Sequence, residues 1–229
     1  MSKFTSAVIL AAGTGSRFGG NVKKQFAEVS GEPCIVRTVG AFEACPLIDE
    51  IILVGNPAET DPVISGRGFT KISKVVQGGE TRQESALIGF DEISEKADYV
   101  AIHDGARCLV TPEMIGDTVK AAYKYRAAAA AHRSEDTVKV SGEGDMIAST
   151  EDRNKIWLVQ TPQVFSADVY RVSAYMAKKD KASVTDDCML CERLGFKVKL
   201  VECGRSNIKL TCPEDLLLAE AIIASRKGQ

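Results

Sequence analysis

Short runs rich in valine and isoleucine alternate along the chain with stretches whose apolar residues recur at helical spacing. The runs are "SAVILAA", "DEIILVG", "ISKVVQGG" and "DYVAIHD"; the helical stretches include "PCIVRTVGAFEAC", "TRQESALIGFDEI" and "PEMIGDTVKAAYKY". A strand with one wet face alternates apolar and polar residues. These runs do not, so they are expected to be covered on both faces. The pattern predicts an α/β fold built on a doubly wound, mostly parallel, Rossmann-like sheet. Ligands of such sheets bind beyond the carboxyl ends of the strands. The three most unusual segments, "AAGTGSRFGG", "QGGETR" and "HDGARC", all fall there.

The rhythm breaks after the alanine run at 127–131. "EDTVKVSGEGDMIASTEDR" reads as two short strands around a Ser-Gly-Glu-Gly-Asp turn. Its strands are polar on both faces and cannot form a core of their own, so the segment at about 134–153 is expected to project as an arm and dock on a second copy of the chain. From Trp157 the core pattern resumes with "WLVQTPQVF", a helix from about Ala167, another at "TDDCMLCERLG", a strand at "KVKLVEC" and a last helix after Pro213. With no repeat or linker, residues 1–229 read as one domain carrying an inserted β-hairpin arm.

Composition narrows the function classes. A hydrophobic share of 45% and a charged share of 26% are those of an ordinary globular protein, and a net charge of −2 argues against a nucleic-acid partner. No segment has the length of a membrane span or the make-up of a secretory leader, so no membrane partner and a cytoplasmic location are expected. Among the seven cysteines only Cys188 and Cys191 have metal-type spacing, and His103 and His132 are the only histidines. A packed helix face is the expected role of that pair.

The stretch "AVILAAGTGSRFGGNVKKQF" at 7–26 carries the sharpest chemistry. Glycines after a strand bare converging backbone amides that suit phosphate. The dinucleotide fingerprint fails, because Phe18 stands where its third glycine belongs, and the P-loop fails, because Asn21 and Val22 follow Gly20. What remains is a glycine loop carrying Arg17 and, seven residues on, Lys24. Two cations on such a loop suit a triphosphate whose charge rises during reaction.

"LAAGTGSRFGG…KKQF" resembles the signature of nucleotidyltransferases that activate sugar phosphates and related alcohols. "GGETRQESALIG", "HDGAR", "DTVK", "DRNKIWLVQTPQVF", "TDD" and "SNIKLTCPEDLLLAE" follow in the order found in the 2-C-methyl-D-erythritol 4-phosphate cytidylyltransferase family, and the resemblance covers nearly the whole chain. It implies transfer of CMP from CTP to an alcohol phosphate, with Mg²⁺, in a homodimer that exchanges its arms. By the same resemblance Arg17, Lys24, Arg153 and Lys209 are the catalytic candidates. Ala11, Ala12, Gly13, Gly15, Gly79, Glu80, Ser85, Asp104, Gly105 and Ala106 are the CTP-binding ones; Asp104 is also the one candidate neighbour of the metal, whose ligands are expected to be mostly phosphates and water. Thr137 and Arg153 of the partner's arm, with Lys209, Arg107 and Thr161, are the candidates for the alcohol phosphate. Ribitol-5-phosphate cytidylyltransferase is the neighbouring alternative; a non-catalytic CTP-binding module is the alternative from another class. Two departures from the family pattern are Cys108 in place of proline after "HDGAR" and "HRSE" before "DTVK".

Overall fold

The computed structural model describes residues 3–13 and 23–227. Strands β1 (Thr5–Leu10), β2 (Glu28–Val29) and β3 (Glu32–Pro33) precede helix α1 (Cys34–Ala44). Then come β4 (Glu50–Val54), α2 (Pro57–Ile64), β5 (Ile72–Val76), α3 (Arg82–Asp91), β6 (Tyr99–Asp104) and α4 (Pro112–Tyr125). The alanine run lies in β7 (Ala127–Arg133), and the arm holds β8 (Lys139–Ser141) and β9 (Ile147–Thr150). The chain closes with β10 (Trp157–Ser166), α5 (Ala167–Lys179), α6 (Asp187–Glu192), β11 (Lys199–Glu202) and α7 (Glu214–Lys227).

Seven strands form the central sheet in the order β11-β7-β10-β6-β1-β4-β5. Neighbours are parallel except around β10, which runs antiparallel to both β6 and β7. The mostly parallel, doubly wound sheet expected from the strand pattern is therefore present, with one reversed strand inside it.

Burial on both faces explains the apolar runs of β1, β4 and β6, whereas β5, expected to be covered likewise, lies at the sheet edge with Ser73 and Lys74 exposed. Ala7, Ile9, Ile51, Leu53 and Ala101 face one core with Ile35, Val39 and Phe42 of α1 and Ile115 and Val119 of α4. Val8, Ile52, Val54, Val100 and Ile102 face the opposite core with Phe90 of α3, Tyr170 of α5 and Leu190 of α6. Each large apolar side chain taken fully out of water contributes roughly 1.5–3 kcal/mol before chain entropy is subtracted. At Gly89 of α3 an added Cβ would lie 2.3 Å from Val8 Cγ1, so only glycine lets this helix approach β1 so closely. Cys188 and Cys191 belong to the second core, where burial pushes the Cys191 thiol up to about 12. A packed face is thus what the pair forms.

A third cluster joins α7 to the glycine-loop side through Val29, Cys34, Leu109, Leu210, Ala219 and Ile223. The arm behaves differently: β8 and β9 are exposed along their whole length, including Val140 and Ile147, and so is Met146 just before β9. Among the described residues no helix is long and apolar enough to cross a membrane.

Candidate active site

The carboxyl ends of β1 and β6 are adjacent in the sheet, and their exits are joined by a hydrogen bond from Gly105 N to Leu10 O of 2.8 Å. A Cβ at Gly105 would meet that same carbonyl oxygen at 2.9 Å, which is why the turn after Asp104 requires glycine. Beyond these ends lies a cavity of about 380 Å³. Ala11, Ala12, Gly13 and Lys24 line it from the first loop, Gly79, Glu80 and Ser85 from the second, Asp104 and Ala106 from the third, and Lys209 from the segment after β11. Arg17 and Gly15 lie outside the described residues.

Local hydrogen bonds fix each loop. Gln25 is 3% exposed, and its amide donates to the carbonyls of Ala11 at 2.8 Å and Gly13 at 3.1 Å, bracing the start of the glycine loop. In the second loop Thr81 caps α3 and exchanges hydrogen bonds with Glu84, a reciprocal capping box. Glu84 also accepts from Glu80 N, and Ser85 Oγ accepts from Gly79 N, so backbone and side chains hold 79–81 against the helix.

Asp104 is the electrostatic centre. Its Oδ1 accepts from Arg82 Nε at 2.9 Å and its Oδ2 from Lys209 Nζ at 2.7 Å, with Arg107 Nε 4.0 Å away. Burial alone would raise its pKa; the attraction of Arg82, then Lys209 and Arg107, outweighs burial and holds the carboxyl well below the ordinary carboxylate range. Arg82 reaches on to Asp187 Oδ2 at 2.7 Å. Burial alone would lower the pKa of this guanidinium, but the two carboxylates hold it above its ordinary value.

Behind Asp104 a second chain of bonds fixes its backbone. Asp104 N donates to Thr161 Oγ1 at 3.1 Å, and the Thr161 hydroxyl stands 3.0 Å from His103 Nδ1. His103 Nε2 lies 3.4 Å from Arg107 O. One neutral tautomer satisfies all three contacts: Thr161 donates to Nδ1 and Nε2–H donates to the carbonyl. Burial accordingly pushes His103 down to about 3.

Arg107 and Thr161, expected beside the alcohol phosphate, stand behind Asp104 rather than among the cavity-lining residues. Arg107 donates to Asn207 O at 2.8 Å. Thr137 and Arg153 are exposed on the arm; Arg153 donates to Glu135 O and borders a separate groove with Arg133 and Arg205. Within one chain the arm residues are not brought into the cavity. Arg82, Gln25 and Asp187 were not among the expected site residues. Their signal was present in "GGETRQES", "KKQF" and "TDD", but nothing in the sequence linked them to Asp104.

Asp104 was expected near a metal held mostly by phosphates and water, not within a cluster of protein ligands. Asp104 has both oxygens taken by cations, and among the described residues no group of three or more His, Cys, Asp or Glu side chains could hold a metal.

The family model described as 2-C-methyl-D-erythritol 4-phosphate cytidylyltransferase matches residues 5–225. The chain belongs to that family. A relative from Caldanaerobacter subterraneus subsp. tengcongensis, named 2-C-methyl-D-erythritol 4-phosphate cytidylyltransferase, is 42% identical over 95% of this chain and 98% of its own length. One of the same name from Clostridium perfringens is 43% identical over 97% of this chain and 100% of its own. A crystal structure of 4-diphosphocytidyl-2C-methyl-D-erythritol synthase from Anaerococcus prevotii superposes with a TM-score of 0.88 at 30% identity, covering 97% of each chain. This family member thus carries the nucleotidyltransferase fold of its structural neighbours.

The buried imidazole yields a test. The folded state keeps His103 neutral, whereas the unfolded chain takes up its proton below ~6.5, so the contribution is whole above that pH and is lost as pH falls towards 3. Urea unfolding is expected to lose about 2 kcal/mol between pH 7 and pH 5, and His103→Gln to flatten that slope. Equal slopes in the two proteins would show that His103 is not held neutral.

Proposed function

We propose that this chain transfers CMP from CTP to 2-C-methyl-D-erythritol 4-phosphate, releasing pyrophosphate and giving 4-diphosphocytidyl-2-C-methyl-D-erythritol for the non-mevalonate isoprenoid route. The observation that carries the proposal is the cavity that gathers Lys24, the 79–85 loop, Asp104 and Lys209 from four distant segments at one end of the sheet. Family membership supports the same reading.

In this mechanism an oxygen of the alcohol phosphate forms a bond to the α-phosphorus of CTP, and the bond from that phosphorus to the pyrophosphate oxygen breaks. A phosphate monoester has its second pKa near ~6, so the nucleophile is largely dianionic at neutral pH and needs no general base. This suits a site whose nearest imidazole, His103, is buried and neutral. The work is electrostatic. Arg17 and Lys24 take up the charge that develops on the α-phosphate and on the leaving pyrophosphate, while amides of Ala11, Ala12, Gly13 and Gly15 hold the nucleotide. Gly79, Glu80, Ser85, Gly105 and Ala106 surround cytosine and ribose, the backbone groups of these loops reading the small base edge and crowding out purines. Lys209, oriented by Asp104, holds the alcohol phosphate.

Thr137 and Arg153 complete that subsite from the arm of a second copy. The exposed apolar residues Met146 and Ile147 favour docking of the arm, and a symmetric dimer would complete two sites at once. Arg107 and Thr161 act from behind, through Asp104. Mg²⁺ would accompany the triphosphate, coordinated mostly by phosphate oxygens and water, and would neutralise part of the charge that Lys24 and Arg17 meet.

Pyrophosphate release from CTP should depend on 2-C-methyl-D-erythritol 4-phosphate and be far slower with ribitol 5-phosphate, and Lys24→Ala should cost kcat about a hundredfold. Comparable turnover with ribitol 5-phosphate would move the chain to the neighbouring specificity; no release with either would leave a nucleotide-binding module. For the arm, an Arg153→Ala protein mixed with a Lys24→Ala protein should regain roughly half the wild-type activity per heterodimer, since one site then carries neither lesion. Subunit exchange without recovery would put both residues in the same chain's site.

A further inference from the structure

Asp187 stands outside the cavity, 1% exposed, in the first turn of α6. Three elements hold it. Its Oδ1 accepts from the Tyr170 hydroxyl of α5 at 2.9 Å, its Oδ2 accepts from Arg82 NH1 of α3 at 2.7 Å, and its amide donates to Gln163 Oε1 of β10 at 3.0 Å. Tyr170 is itself fully buried. The other prong of the Arg82 guanidinium reaches Asp104 in the cavity.

An ion pair with one partner fully buried, as Asp187 is, is a poor device for stability alone, because desolvating that charge consumes much of what the attraction gives, and an apolar residue of the same volume would serve the core as well. What an apolar residue cannot do is aim a guanidinium. Arg82 is a rigid fork with one prong on each carboxylate, a geometry that a lysine ammonium, a single point charge, does not reproduce. Asp104 in turn divides its two oxygens between Arg82 and Lys209.

We infer that Asp187 and Tyr170 are positioning residues for the reaction: from outside the cavity they fix Arg82, which fixes the Asp104 carboxylate, which presents Lys209 to the incoming phosphate. The inference rests on the role of Lys209 proposed above. It assigns α5 and α6, which supply none of the cavity-lining residues, a part in preorganising the site. If the Arg82 fork is free to turn, Asp104 rotates with it, and Lys209 loses the geometry in which it meets the phosphate.

The test uses Asp187→Asn, which keeps the shape and the acceptor for Tyr170 but removes the charge that holds Arg82, beside Tyr170→Phe, which deletes one hydroxyl. Asp187→Asn is expected to raise KM for the alcohol phosphate and lower kcat, for a loss of at least ~10-fold in kcat/KM, as for outer-shell partners of other functional groups. Tyr170→Phe should lose about 2- to 5-fold in the same direction. In an Arg82→Lys background, where no fork remains to be aimed, Asp187→Asn should add less than about 2-fold. A structural role alone predicts a lowered Tm with kcat and KM per folded molecule unchanged, and that result, or losses that multiply in the double variant, overturns the inference. Should Asp187→Asn fail to fold, Tyr170→Phe carries the same test, with unchanged kinetics as the overturning result.

A second readout is independent of turnover. The Arg82 Nε–H signal, assigned by its loss in Arg82→Lys, should be protected from exchange in the wild-type protein and broaden in the Asp187 or Tyr170 variant. If it is unchanged, the positioning link is wrong. If it broadens while the wild-type protein releases no pyrophosphate, the link stands and the proposed reaction fails.

Discussion

A buried carboxylate shared between two cations organises this protein. Asp104 ends a strand whose every residue is buried, and it is exposed by only 8% at the edge of the sheet. An ion in that position is tolerable only with counter-charges close by. Arg82 arrives from the start of α3 and Lys209 from the segment after β11, so satisfying one carboxylate brings together parts of the chain 22 and 105 residues away. The cavity is the space left between those parts. Its walls are therefore set by an electrostatic requirement of the fold, and the same cations that make Asp104 tolerable are the ones an anionic substrate would meet.

The backbone behind Asp104 is arranged to keep that point fixed. Thr161 accepts from the Asp104 amide and donates to a neutral His103, whose other nitrogen meets the Arg107 carbonyl. Gln163 of the same strand receives the amides of Asp187 and Cys188. The antiparallel strand β10 thus contributes polar groups on both sides of the site, although it supplies none of the cavity-lining residues. Its reversed direction places Thr161 beside Asp104, where a parallel strand would have run the opposite way.

Much of the fold was legible in the sequence because it follows from local signals. Strands covered on both faces show as unbroken apolar runs, and the glycines of the first loop mark where the chain leaves the sheet. The alanine run was not legible as a strand. Alanine favours helices, yet residues 127–131 are fully or almost fully buried between β10 and β11, and tertiary packing overrides the propensity. The site divides in the same way. Residues on the loops after β1, β5 and β6 could be named from their motifs, since sheet topology puts those loops at one edge. Arg82, Asp187 and Tyr170 could not be connected, because their partnership depends on where α3, α5 and α6 pack and no spacing in the chain encodes it. The arm residues Thr137 and Arg153 are the opposite case: their motif is clear, but a single chain leaves them in solvent.

Asp104 is an ion held by its cationic neighbours and not merely a polar residue at a strand end. Following its side-chain carboxyl carbon by NMR through an acid titration tests this most directly. Asp104 is expected to stay ionised well below the ordinary carboxylate value of ~3.9, until the fold itself gives way. A titration midpoint at or above that ordinary value, in the folded protein, would contradict it.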